Sequence, residues 1–384
     1  MPIFLFIFFL LMIGYAILIN FYHRAWSRLQ SFTRPDTKPS TFISVIIAAR
    51  NEENNLPALL DSLNNQRYPQ SLYEVIIVND HSTDNTWSIL QQTAYPELSL
   101  KPLNLSAYIN KDETTRSFKK KAIETGIQQA AGSLIITTDA DCRFGEHWLE
   151  SIAAFYESTQ AKFIAAPVKI VGRPTLLGIF QSLDFITLQG ITGASVSQRF
   201  HSMCNGANLA YEKKAFEEVN GFEGIDNIPS GDDMLLMHKI YKKYPDQVFY
   251  LKAKEAIVST EPAANWKAFF HQRIRWASKA DSYDDKRIFW TLLLVYLVNV
   301  CFLVAAVAAF WESIWLFFCL ILLLAKVLIE FPFVHSAAIF FNQGALMKYF
   351  PFLQPVHILY TIIAGWLGKF GKYEWKGRVI SKQS

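Results

Sequence analysis

Charge is scarce in this chain of 384 residues. Asp, Glu, Lys and Arg make up 18% of it, against roughly 25% in an average soluble protein. The shortage is local: no charged residue occurs in residues 1 to 23, between Arg287 and Glu312, or between Lys348 and Lys369. Gaps of that length belong to a membrane protein rather than to a chain wetted on all sides. Disorder is excluded by the 51% of hydrophobic residues. An excess of positive charge is missing where a nucleic acid would need it, because residues 24 to 287 hold 30 basic and 30 acidic residues. Nucleic acid is therefore not an expected partner. Cysteine is scarce as well. Cys142, Cys204, Cys301 and Cys319 show no close pairing or metal-finger spacing, which argues against a disulfide framework and a structural zinc site.

The apolar runs divide the chain. Residues 1–21 form an N-terminal anchor, long enough to span as a helix. Nothing basic precedes this run and no small-x-small cleavage site follows it, so it is expected to be retained. Residues 22–41 are a polar linker, 42–287 a folded domain, 288–368 a C-terminal membrane region and 369–384 a basic tail. Arg24, Arg28 and Arg34 follow the first run, and Lys369, Lys372, Lys376, Arg378 and Lys382 follow the last. Basic residues mark the cytoplasmic side, so the domain and the tail are expected in the cytosol at the inner cell membrane, with Met1 and Glu312 outside. That places two spans after Arg287 and favours a re-entrant or interfacial element for the Pro-containing run from Tyr349 to Gly368, with a third span as the alternative.

Between the apolar ends the periodicity is that of alternating strands and helices. Strand-like runs cover Phe42 to Ala48, Tyr73 to Val78, Ser133 to Thr138 and Lys162 to Val168. Leu56, Leu59, Leu60 and Leu63 recur at helical spacing between the first two runs, and Asp84 to Gln92 and Lys119 to Gln129 add helical segments. This order predicts an α/β fold with a mainly parallel sheet. The apolar stretch 174 to 193 is consistent with core or membrane surface alike.

Polar clusters stand where these strands end. Arg50-Asn51-Glu52-Glu53 follows the first and Asn79-Asp80-His81-Ser82 closes the second. Carboxyl ends of parallel strands form ligand crevices, although the same residue types also make turns and helix caps. Asp139-Ala140-Asp141 ends the third strand, and two carboxylates flanking one residue can hold a hard divalent cation with positions left for phosphate oxygens. A solvated turn would use the same residues. Ser230-Gly231-Asp232-Asp233 precedes a helical run, where the aspartates either cap the helix or accept a proton from an attacking hydroxyl. Gln272, Arg275 and Trp276 share one helix face, able to stack on a sugar and grip phosphate, or to form an interfacial belt.

Taken in order, SVIIAARNEENNL, VIIVNDHSTDNT, KKKAIETGI, TTDADC, NGANLAYEK, SGDDMLLMHKI and QRIRW resemble the family 2 glycosyltransferases over roughly residues 42 to 277. The closest resemblance is to membrane-embedded, cellulose-synthase-like members. It implies a GT-A fold and an inverting, metal-dependent transfer of a hexosyl or N-acetylhexosaminyl group from a nucleotide-sugar, usually a UDP-sugar. By the same resemblance Glu52, Asp80, Lys119, Asp139 and Arg275 bind the donor. Asp139 and Asp141 hold Mg2+ or Mn2+, Asp233 is the base with Asp232 beside it, and Gln272 and Trp276 meet the acceptor. Ala48 stands where many members have Pro, and Gly231-Asp232 replaces Thr-Glu. The apolar C-terminal segments are few for a polymer channel, and Trp375-Lys376-Gly377-Arg378 resembles segments of lipid-directed relatives. The expected acceptor is therefore a lipid or lipid-linked glycan. A processive polysaccharide synthase and an inactive sugar-nucleotide-binding subunit are the alternatives.

Overall fold

A computed structural model describes residues 2–92, 98–109, 117–172, 174–200, 203–228, 231–278, 285–370, 372–375 and 378–381. Ser230 and, in the basic tail, Lys376 and Lys382 lie outside these residues. Contacts divide the chain into two compact units, Leu29–Val171 with Ser195–Glu261, and Met1–Arg28 with Gly172–Ala194 and Pro262–Ser384. The division differs from the linear one above: it assigns 172–194 and 262–278 to the unit of the apolar helices.

The first unit is built on strands β1 (Ile43–Ala49), β2 (Tyr73–Asn79), β3 (Leu100–Asn104), β4 (Leu134–Asp139), β5 (Phe163–Ala165), β6 (Val168–Ile170), β7 (Leu209–Glu212), β8 (Val248–Tyr250) and β9 (Val258–Thr260). Among the described residues the main sheet has the order β3-β2-β1-β4-β7-β5-β8, with β6 and β9 paired separately. β1, β2, β3 and β4 are mutually parallel where they pair, and β7 runs antiparallel to both β4 and β5. Strands buried on both faces need continuous apolar runs, and β1 and β2 supply them as SVIIA and VIIV.

Helices α2 (Leu56–Asn64), α3 (Thr86–Gln92), α4 (Phe118–Gln128), α5 (Trp148–Thr159), α7 (Lys213–Glu218) and α8 (Met234–Lys243) complete this unit, while α6 is Leu176–Ser197. α2 buries Leu56, Leu59, Leu60 and Leu63, the spacing expected of an amphipathic helix. Gly126 brings α4 close to β1, since a Cβ there would meet Ile46 Cγ2 at 2.5 Å. The run expected as one strand from Lys162 to Val168 is two strands in different sheets. Pro167 lies at the break, where a residue without an N–H cannot continue a ladder.

The second unit contains α1 (Pro2–Arg28), α6, α9 (Trp266–Ala277), α10 (Lys286–Ala308), α11 (Ile314–Phe340), α12 (Phe350–Phe370) and a hairpin of β10 (Lys372–Trp375) with β11 (Arg378–Ser381). α1 continues past residue 21 to Arg28 because Tyr22, Ala25 and Trp26 extend its buried face beyond the purely apolar run. Among the described residues four helical stretches, Pro2–Arg28, Lys286–Ala308, Ile314–Phe340 and Gly344–Lys369, are long and apolar enough to cross a membrane. α1, α10 and α11 lie side by side, as Phe8 against Phe302 and Trp26 against Phe340 show.

α12 is one continuous helix: Phe350 packs on Phe331 and Gln354 bonds Glu330, while Gly365 lies against Tyr296, so its start meets α11 and its end meets α10.

Candidate active site

Register builds the site. In the parallel pairs Ala49 is level with Asn79, and Ala48 with Asp139. The carboxyl ends of β1, β2 and β4 therefore open on one edge. β1 lies between β2 and β4, so the sheet order switches direction there, the place where open α/β sheets bind ligands.

On the β1–β2 side the loops brace one another. Asn51 and His81 take left-handed backbone angles, with φ of 53° and 51°. The Asn51 Oδ1 accepts from the Thr83 N–H at 2.8 Å, and the Glu53 N–H donates to Asp84 Oδ2 at 3.1 Å. Asp80 is buried, with His81 Nδ1 at 3.0 Å from its Oδ1 and Arg50 Nη1 at 3.9 Å. Arg50 also donates to the Asp80 carbonyl at 3.1 Å. Glu52 is buried too; its backbone N–H donates to Thr86 Oγ1 at 2.7 Å, and its carboxylate accepts from Asn55 Nδ2 at 2.7 Å.

On the β4 side Lys119, in the first turn of α4, lies 2.8 Å from Asp139 Oδ1 and 2.9 Å from Asp232 Oδ2. Burial alone would depress this ammonium, but the Asp139 and Asp232 carboxylates outweigh it and hold its pKa above the ordinary lysine value. Asp232 follows Gly231, whose φ of +86° makes the turn into α8. Asp233 then accepts from the Met234 N–H at 2.7 Å as the cap of α8. Gly206 closes the cluster: a Cβ there would lie 3.2 Å from Asp232 Oδ2 and 3.5 Å from Lys119 Nζ. Asp141 accepts from the Cys142 thiol at 3.7 Å, and burial, with both neighbouring carboxylates, pushes that thiol far up.

Asp139 and Asp141 fit a hard cation by chemistry, being oxygen donors one residue apart at a strand end. Among the described residues no three His, Cys, Asp or Glu side chains form a complete cage. An ion held there would draw the rest of its shell from water and donor phosphates, as Mg2+ characteristically does.

The structure thus brings Lys119, Asp139, Asp232 and Asp233 together and puts Asp80 on the same sheet edge. Gln272, Arg275 and Trp276 belong to the other unit, on α9. There the Arg273 guanidinium lies over the Trp276 ring, and the Phe185 ring is tilted against it. Sequence reasoning noted Arg50 and His81 within the polar strand-end clusters but gave them no role, and it gave none to Arg273, whose signal was its placement between Phe269 and Trp276 on one helical stripe.

The sheet order and its polar strand ends are those of a GT-A fold. The chain matches the glycosyl transferase family 2 profile over residues 44–219 and that of glycosyl transferase family group 2 over residues 134–367, and it belongs to this family. It is 26% identical to the glycosyltransferase AglE of Haloferax volcanii over 62% of this chain and 73% of that protein. It is 24% identical to the beta-monoglucosyldiacylglycerol synthase of Nostoc sp. over 66% of this chain, spanning 51% of the synthase. A mannosyltransferase from Pyrobaculum calidifontis, solved with GDP-Man and Mn2+, shares the fold with a TM-score of 0.60 and 17% identity, over 94% of this chain and 98% of that one.

Proposed function

We propose that the chain is an inverting glycosyltransferase that moves a sugar from a nucleotide-sugar, expected to be a UDP-sugar, to a lipid or lipid-linked acceptor at the cytosolic face of the cell membrane. One observation supports this above the others: Lys119 joins Asp139 to Asp232, at the sheet edge that also carries Asp80 and directly beside Asp233. The apolar helices and the similarity to a lipid glucosyltransferase favour a lipid acceptor.

Asp80 and Glu52, held by Arg50, His81 and Asn55, are proposed to orient the nucleoside. Lys119 stays charged throughout the physiological pH range and neutralises negative charge that grows as the diphosphate departs. A divalent ion on Asp139 and Asp141 would supply further positive charge to that leaving group. Asp233 takes the proton of the acceptor hydroxyl, and attack opposite the leaving group inverts the anomeric carbon. Gln272 and Trp276 are assigned to the acceptor and Arg275 to the donor phosphates.

The decisive test is Asp233→Asn. Asn caps a helix about as well as Asp, so the fold should persist while transfer falls by ~10²- to 10⁴-fold and UDP-sugar binding is retained. Near-normal transfer would leave Asp233 as a cap. Product length by mass spectrometry separates single transfer from polymer synthesis. The topology is checked with an impermeant thiol reagent on intact cells: cysteine introduced at Glu312 should be labelled, and at Ser40 or Ser384 protected. Labelling at Ser384 would make α12 a fourth span.

A further inference from the structure

We infer that Arg273 is a positioning residue that sets the orientation of the Trp276 indole, and through it the acceptor subsite; the second half of this inference rests on the role proposed for Trp276. The Arg273 guanidinium carbon lies 4.2 Å from the Trp276 ring centroid and 4.8 Å from that of Phe269. The cation is thus sandwiched by the aromatic residues one turn ahead and one turn behind it on α9. Two adjacent residues of α6 complete the clamp. Asp184 Oδ2 lies 2.6 Å from Arg273 Nη2, and the Phe185 ring lies 6.2 Å from the indole. Asp184 is itself held from α12 by the Tyr360 hydroxyl, which donates to Oδ1 at 2.6 Å.

A purely structural ion pair is the rival explanation, and burial weighs against it. The Arg273 and Asp184 side chains are each 3% exposed. Well-packed apolar side chains of similar volume generally serve stability as well as a buried pair or better. Beyond the Asp184 ion pair, Arg273 Nε and Nη1 have no hydrogen-bond partner among the described residues, so the rest of the guanidinium is held by ring faces. That form of contact governs where the rings lie. A flat guanidinium can cover two aromatic faces at once, whereas an ammonium on a flexible stem cannot. Trp276 keeps part of its surface open while Arg273 has almost none. The cation therefore acts behind the ring, not on a ligand.

The test uses the full chain in lipid nanodiscs, labelled with 5-fluorotryptophan and observed by fluorine NMR. The Trp276 line is identified by its loss in Trp276→Phe. In Arg273→Lys and Arg273→Met this line should shift or broaden by more than its own width, while the lines of the other nine tryptophans keep their positions. If both variants fail to fold, Asp184→Asn keeps the shape, removes one charge and should move the same line by less. With UDP-glucose and diacylglycerol as the probes, Arg273→Lys should raise the acceptor KM about tenfold by the energy of a desolvated cation–π contact and leave the donor KM within about twofold. An unmoved Trp276 line in folded variants would overturn the inference. A moved line with an unchanged acceptor KM would overturn the link to the acceptor. A chain that transfers neither this sugar nor any other fails the proposed function, and the fluorine spectrum still decides whether Arg273 orients the indole.

Discussion

In the sheet unit the cluster around Lys119 opens toward solvent: the Asp139 side chain is 37% exposed and that of Lys119 22%. In the helical unit an equally polar cluster is sealed. The Lys326 ammonium is fully buried midway along α11, 2.6 Å from Glu330 Oε1 and 2.5 Å from Gln354 Oε1. Gln354 donates to the other Glu330 oxygen at 2.8 Å, and Tyr15 of α1 bonds Glu330 as well. Both clusters gather polar side chains from distant segments, but only the first leaves room for a ligand. The second ties α1, α11 and α12 together, a use of buried charge that specifies which helices meet. Charge at a strand end is thus available for chemistry, and charge inside an apolar bundle is spent on its own partners.

The difference can be broken most forcefully in the bundle. Lys326→Met strands the Glu330 carboxylate and should lower stability by about 3–5 kcal/mol, whereas Lys326→Met with Glu330→Met should recover most of the loss. Thermal unfolding in detergent measures both, and a single variant as stable as the wild type would show that the sealed cluster holds nothing together. In the sheet unit the balance reverses. Asp139→Asn should leave the unfolding midpoint nearly unchanged but reduce transfer about a hundredfold, or ~2.7 kcal/mol of barrier, and chelation should act in the same direction. Retained transfer under both treatments would remove the cation from the reaction.

Glu74 sharpens the contrast, being a sealed charge within the sheet unit. It accepts from Ser44 Oγ at 2.7 Å and the Ala131 N–H at 2.6 Å, and it pairs with Lys101 at 2.5 Å. Burial would raise its pKa, but Lys101, Ser44 and the Ala131 amide outweigh that and hold it below the ordinary glutamate value. The folded pKa being the lower one, its contribution is present above the unfolded value and is lost as pH falls through the folded value. Glu74→Gln should cost about 1–3 kcal/mol at neutral pH and flatten the loss of stability below about pH 4. A variant with an unchanged acid limb would assign the acid sensitivity elsewhere.

Much of the sheet unit was legible before any coordinates. Strands β1, β2 and β4 stand out because buried parallel strands need unbroken apolar runs, and their polar ends mark the candidate site. β7 was not legible: Leu209–Glu212 is a four-residue antiparallel strand whose brevity hides its period. The helical unit gave up its helices through hydropathy but not their arrangement. Lys326 and Glu330 stand one turn apart in the sequence, while Gln354 and Tyr15 carry no mark of the contact they make.

By itself the sequence determined the local patterns: which runs form strands or apolar helices, and which polar residues stand at strand ends. Hydropathy and backbone periodicity act over a few residues and can be read in line. Only the tertiary structure decided that Lys119 bridges Asp139 and Asp232, that Arg273 lies behind Trp276 with Asp184 at its back, and that Gln354 of α12 reaches Lys326 and Glu330. Each of these depends on side chains from distant segments arriving at one place, and that is set by crossover and helix packing rather than by spacing along the chain.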